Sequence, residues 1–128
     1  MRKSVIFPLD DKMTIALLIR KVENFMNERD WLKFHNPKDL SIALSVESAE
    51  LQELFLWKDV ESVMQMRENE KLLGRIREEV ADVGIYLLSL SNVLNIDLSE
   101  AIVEKLLQNA QKYPIDKSKG SSKKYDEL

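Results

Sequence analysis

Cysteine is absent from this chain, and histidine, glycine and proline are scarce: one, three and three among 128 residues. Without cysteine, neither disulfides nor thiolate-held metals can contribute. The single histidine, His35, excludes the Glu-x-x-His ligand sets of di-iron bundles. So few turn-forming residues, with no strand-like alternation of any length, predict an all-α fold. No apolar run approaches a membrane span. The run Val5-Ile6-Phe7 before Pro8 is too short for a secretory leader, so no membrane partner and a cytoplasmic location are expected. A net charge of −3 leaves no basic footprint for nucleic acid. The length fits a single domain over residues 1–128 that needs no staples.

What the chain does have is two helical seams interrupted by acids. In Leu40–Trp57, Leu40, Ala43, Val46, Leu54 and Trp57 keep to one side of a helix. Along the seam from Leu40 and Ala43 the next two positions are Glu47 and Glu50, after which Leu54 and Trp57 resume it. Most Glu-x-x-Glu pairs lie on solvated faces. Carboxylates inside an apolar seam are costly unless something positive joins them. A second seam runs Leu72, Ile76, Glu79, Val83, Tyr86, Leu90, Val93, with Asp82 at its edge and Glu78 pointing away. Two such helices packed antiparallel bring Glu47, Glu50, Glu79 and Asp82 together. With Mg²⁺ (or Mn²⁺ in its place) they make the hard-oxygen site that handles phosphates.

In chain order, residues 1–9 read as an apolar arm packing Val5, Ile6 and Phe7 on something else, such as another subunit. Asp10 or Asp11 is expected to cap a first helix over roughly 12–29, with Ile15, Leu18, Ile19, Val22, Phe25 and Met26 inward. Asn36 and Pro37 start the second helix. Trp31, Phe34 and His35 before it either bind something or plug a bundle end. The charged stretch after Trp57 reads as a short, mostly solvated helix or turn. A third helix is expected over roughly 70–94. Asp97 and Glu100 open a fourth that runs to about Tyr113 and stops at Pro114. Lys105, Asn109 and Lys112 share one face of it. They either complement the helix dipole or offer a row of donors to phosphate oxygens. Residues 115–128 form a polar tail, expected to be mobile without a ligand.

The segments ALSVESAELQELFLWK, EEVADVGIYLLSL, NAQKYP and SSKKYDEL resemble the MazG-like all-α nucleotide pyrophosphohydrolases, and most of all their dCTP pyrophosphatase branch. The similarity extends from about Leu18 to the end of the chain. It implies a four-helix bundle-like protomer. Glu47, Glu50, Glu79 and Asp82 then correspond to magnesium ligands, and Lys105, Asn109, Lys112 and Tyr113 to the phosphate-side motif. Trp31, His35, Trp57 and Tyr86 correspond to groups around base and sugar. Lys112 departs from the arginine often found there, replacing a bidentate fork with a point charge.

The resemblance implies Mg²⁺-dependent hydrolysis of a nucleoside triphosphate, dCTP or a modified dCTP, to monophosphate and pyrophosphate in nucleotide-pool sanitation. Other non-standard nucleotides are the close alternative. Either Glu50 or Glu53 can serve as the base. Apolar residues on several helix faces exceed what one thin bundle buries, so a homo-oligomer is expected, and the resemblance favours a tetramer of two dimers. The alternative outside enzymes is a helical dimerisation module whose seam acids pair with lysines. Against it, the seams carry no lysine or arginine at matching positions.

Overall fold

A computed structural model describes residues 9–128, all helix, turn and loop with no strand among them. The N-terminal arm with Val5, Ile6 and Phe7 lies outside the described residues. The chain divides into two compact units, the first ending at Asn95 and the second spanning Ile96–Leu128. The first holds α1 (Ile15–Glu28), α2 (Pro37–Glu53), α3 (Val60–Met64) and α4 (Glu70–Val93). The second holds α5 (Leu98–Lys112) and α6 (Ile115–Ser118). No helix of the described residues is long and apolar enough to cross a membrane.

Short polar side chains start five of these helices. Asn36 Oδ1 accepts from the Asp39 N–H at 2.9 Å, and Asp97 Oδ1 accepts from the Glu100 N–H at 3.0 Å. Asp59 and Asn69 do the same for α3 and α4. Each such cap stabilises by about 1 kcal/mol. For α1 the expected Asp10 or Asp11 is wrong. Thr14 is the cap, extended at φ −85° and accepting from the Leu17 N–H at 3.1 Å. Two helix ends turn without glycine: Asp30 after α1 and Asn95 after α4 both sit at φ 55°. Asn and Asp tolerate this left-handed region better than other side chains, which lets the chain manage with so few glycines.

In the first unit α4 packs along α2 and against α1. Glu50 meets Glu79 while Leu54 and Leu72 line the same cavity, so α2 and α4 run antiparallel. Burial within one copy is sparse. Among the described residues the buried apolar side chains are Met26, Leu40, Leu54 and Met66. Met66 is buried although its segment was expected to be mostly solvated. Phe25, expected inward, is exposed beneath the Arg29 guanidinium, 3.7 Å from its ring centroid.

The second seam holds as a helical stripe, with Leu72, Ile76, Glu79, Val83, Tyr86 and Leu90 all partly buried. The first does not run to Trp57. Helix α2 stops at Glu53, Leu54 turns inward, and Trp57 swings out at φ 63° with 94% of its surface exposed. Val46 is also exposed. A bulky residue in the left-handed region costs of order 1–3 kcal/mol. In the second unit the tail carries α6 and a short turn, Tyr125–Glu127. Gly120, at φ 77°, supplies the reversal between them that a residue with a Cβ resists.

Candidate functional site

The antiparallel pairing of α2 and α4 converts two seam interruptions into one cluster. One carboxylate oxygen from each of Glu47, Glu50 and Glu79 lies within 4.8 Å of the others. Asp82 stands outside this triad but acts on it, since its charge raises the pKa of both Glu47 and Glu79. Glu47 and Glu79 are half-buried, and Oε2 of each is shielded from solvent with no hydrogen-bond partner. Glu47 is pushed up to about 7. Burial is the largest cause, followed by Glu50, which accepts a hydrogen bond from the protonated acid and repels the ionised one. Burial likewise raises Glu79, and the charges of Glu50, Asp82 and Glu78 add to it.

Unpartnered, shielded carboxylate oxygens converging from two helices fit a hard divalent cation. Such a cation offsets the repulsion and accepts oxygen donors only. Beside the triad opens a cavity of about 520 Å³ lined by Glu50, Glu53, Leu54, Lys58, Leu72, Arg75 and Glu79. Glu53, rotated off the α2 seam, thus faces the same space as Glu50 and Glu79.

A second cavity, of about 230 Å³, lies at the other end of α4, between Leu88–Val93 and the Ile19–Met26 face of α1. His35 lines it with Leu32, and the Asn92 side-chain amide donates to Glu23 at 2.7 Å beside them. Trp31 stands nearby in sequence, its ring edge-on to Phe25 at 6.0 Å. Tyr86 is half-buried on α4, one turn beyond Asp82. Trp57 joins neither cavity.

Lys105, Asn109, Lys112 and Tyr113 belong to the second unit, on α5 and its C-cap. Asn109 is half-buried and the others are exposed. There Tyr125 folds back from the tail, edge-on to Tyr113 at 6.3 Å, with Lys112 Nζ 4.9 Å above its ring.

A family model described as MazG-like matches residues 42–128, the span that carries the triad, Asp82 and the α5 row. The chain belongs to the MazG-like family. Curated relatives of this MazG-like chain include the dCTP pyrophosphatase 1 of Rattus norvegicus, 37% identical over 122 residues. That match covers 95% of this chain and 72% of the relative. The Homo sapiens dCTP pyrophosphatase 1 is 35% identical with the same coverage. A crystal structure of a pyrophosphatase from Archaeoglobus fulgidus superposes with a TM-score of 0.70 at 35% identity. It covers 89% of this chain and 99% of that one.

Two site residues of this MazG-like chain were missed in the sequence, Lys58 and Arg75. The seam positions carry no cation, and neither Lys58 nor Arg75 stands on a seam. Arg75 lies four residues before Glu79, on the same side of α4, and its charge pulls the Glu79 pKa down against the acids. That i, i+4 spacing was the available signal.

Proposed function

We propose that this enzyme, a nucleoside triphosphate pyrophosphohydrolase, hydrolyses dCTP or a modified dCTP to the monophosphate and pyrophosphate at the α2–α4 carboxylates. The observation that carries the reading is the triad of Glu47, Glu50 and Glu79, each with an oxygen within 4.8 Å of the others, in which Glu47 and Glu79 also have a shielded, unpartnered Oε2. These residues and Asp82 would hold Mg²⁺, with Mn²⁺ as a substitute. When bound, the ion supplies charge neutralisation and Lewis acidity at the phosphates.

The remaining work falls to the chain's own groups. A water oxygen forms a bond to the α-phosphorus, and the bond from that phosphorus to the α–β bridging oxygen breaks. Pyrophosphate leaves with the electron pair, and Glu50 or Glu53 takes the proton of the water. That both line the cavity supports a role for either in orienting that water. Positioning supplies much of the barrier reduction in such reactions, because phosphoryl transfer asks little covalent chemistry of the protein. His35 and its cavity serve the base and sugar end, together with Trp31 and Tyr86, whereas Trp57, next to Lys58 and outside both cavities of its own copy, would serve that end in a neighbouring copy of the assembly. Lys105, Asn109, Lys112 and Tyr113 serve phosphate oxygens. The identity of the relatives as dCTP pyrophosphatases supports this choice of substrate.

The reading extends to assembly as a homo-oligomer, a tetramer of two dimers, acting in the cytoplasm to cleanse the nucleotide pool. Sparse burial within one copy supports the assembly, as do exposed apolar side chains on each long helix, such as Leu17, Ile42, Val80 and Leu106. A pyrophosphate-release assay over deoxy, ribo and modified triphosphates with Mg²⁺ tests the activity. Preferred turnover of a cytosine deoxynucleotide is expected, and equal or absent turnover of all would contradict it.

A further inference from the structure

The cavity beside the triad is not uniformly acidic. Its walls carry Lys58, just past the end of α2, and Arg75, one turn before Glu79 on α4. Both are exposed, and neither joins an ion pair among the described residues. The pairs within 4.0 Å there are Arg29–Glu28, Lys33–Asp30 and Lys38–Asp39. Two uncommitted cations therefore open onto the same space as three carboxylates. A volume of about 520 Å³ is within the range of small-molecule sites, roughly 300–1,000 Å³.

Helix α4 also has a chemical order along its length. The half-apolar cavity with His35 faces Leu88–Val93, the acids are Glu79 and Asp82, and Arg75 comes before them toward the N-terminus. At about 1.5 Å per residue, Arg75 stands about 6 Å along the axis from Glu79, on the side away from His35. That is the scale of the span across a triphosphate chain, from its first phosphorus to its last. A guanidinium presents a planar fork of donors to phosphate oxygens, and an ammonium adds a point charge.

We propose that Arg75 and Lys58 grip the outgoing pyrophosphate. The triphosphate then lies along α4 with its nucleoside toward His35 and its terminal phosphates toward the helix N-terminus. This rests on the triphosphate reading above and adds the direction of the substrate and two positioning residues for the leaving group. Charge accumulates on the leaving pyrophosphate as the α–β bond breaks, so preorganised cations there act on the transition state more than on the ground state.

The test uses the full chain with Mg²⁺ and calorimetric titration of two products separately, inorganic pyrophosphate and dCMP, against wild type, Arg75→Gln, Arg75→Lys and Lys58→Gln. Circular dichroism verifies that each variant folds, and Mn²⁺ titration reads metal affinity. Arg75→Gln is expected to weaken pyrophosphate binding by about tenfold or more, the equivalent of one charge-assisted contact, with dCMP affinity unchanged. Arg75→Lys should fall between, because it keeps charge and loses the fork. In turnover, kcat should drop more than KM rises. Unchanged pyrophosphate affinity overturns the proposal, and so does weakened dCMP binding, which would invert the substrate. A change confined to Mn²⁺ affinity also overturns it, making Arg75 only a counter-charge to Glu79. Because the titration reads pyrophosphate itself, absent hydrolysis in wild type would count against the activity and not against this assignment.

Discussion

The cavity between α1 and α4 and the cavity between α2 and α4 share a helix and little else. The first is lined by Ile19, Val22, Met26, Leu32, Leu88 and Val93, with polar groups confined to His35, Ser89 and the Glu23–Asn92 pair. The second has five ionisable side chains and two leucines. An apolar, sparsely polar hollow suits a ring that stacks and makes a few directed hydrogen bonds. A charged one suits phosphates and a cation. One helix with two differently furnished ends can therefore orient an amphipathic nucleotide before any chemistry begins.

The largest effect should come from emptying the charged end. Glu47→Gln, Glu50→Gln, Glu79→Gln and Asp82→Asn are each expected to lower kcat by about 10²-fold or more, the scale for losing one preorganised stabilising group. Metal-free stability should hold or rise, since each change relieves repulsion. Near-normal kcat in all four at saturating Mg²⁺ would erase the distinction between the cavities.

A smaller effect belongs to the nucleoside side. Base–aromatic stacking is worth about 1–3 kcal/mol in single-strand binding proteins. Trp57→Ala should therefore raise KM for the triphosphate several-fold or more with less change in kcat, as loss of uniform binding does. The ring stands exposed at φ 63°, outside both cavities of its own copy, so this effect would come through a neighbouring copy's site. An unchanged KM for every triphosphate would leave its strain without a functional account.

In the second unit, Lys112 lies over the Tyr125 ring. Deleting residues after Ile115 should weaken triphosphate binding a few-fold. It should also make what remains more sensitive to salt, because screening weakens exposed charge contacts. Steady-state kinetics at two ionic strengths reads this, and identical KM and salt response would make the tail a solubilising appendage.

The smallest effect is on stability with pH. Glu47 holds its proton more tightly folded than unfolded, at about 7 against an ordinary 4.5. Between those values the folded chain binds more protons, so metal-free stability falls as pH rises through this window and levels off above it. Melting curves in a chelator should show the fall in wild type and a shallower one in Glu47→Gln.

The charged end was largely legible in the sequence, because acids breaking a hydrophobic period are visible without coordinates. So were Asn36, Pro37, Asp97 and the span of α4, each written in local capping chemistry or periodicity. The end of α2 was not. The apolar period continues through Leu54 to Trp57, and no glycine or proline marks the stop. A tryptophan in the left-handed region is a tertiary outcome that periodicity cannot announce. Arg75 and Lys58 were hidden for another reason: cavity walls are drawn by both helices, whereas a seam considers one. The small apolar cavity depends on how α1 lies against α4, which residue spacing does not specify.

The proposal most in need of a direct test is that carboxylates from α2 and α4 jointly hold divalent metal. Mn²⁺ titration of the metal-free chain, followed by electron paramagnetic resonance, tests it most directly. Wild type should bind tightly and saturably, and Glu47→Gln on α2 and Glu79→Gln on α4 should each weaken binding by about tenfold or more, with the thermal stabilisation by metal lost in parallel. Equal Mn²⁺ affinity in wild type and both variants would contradict the account.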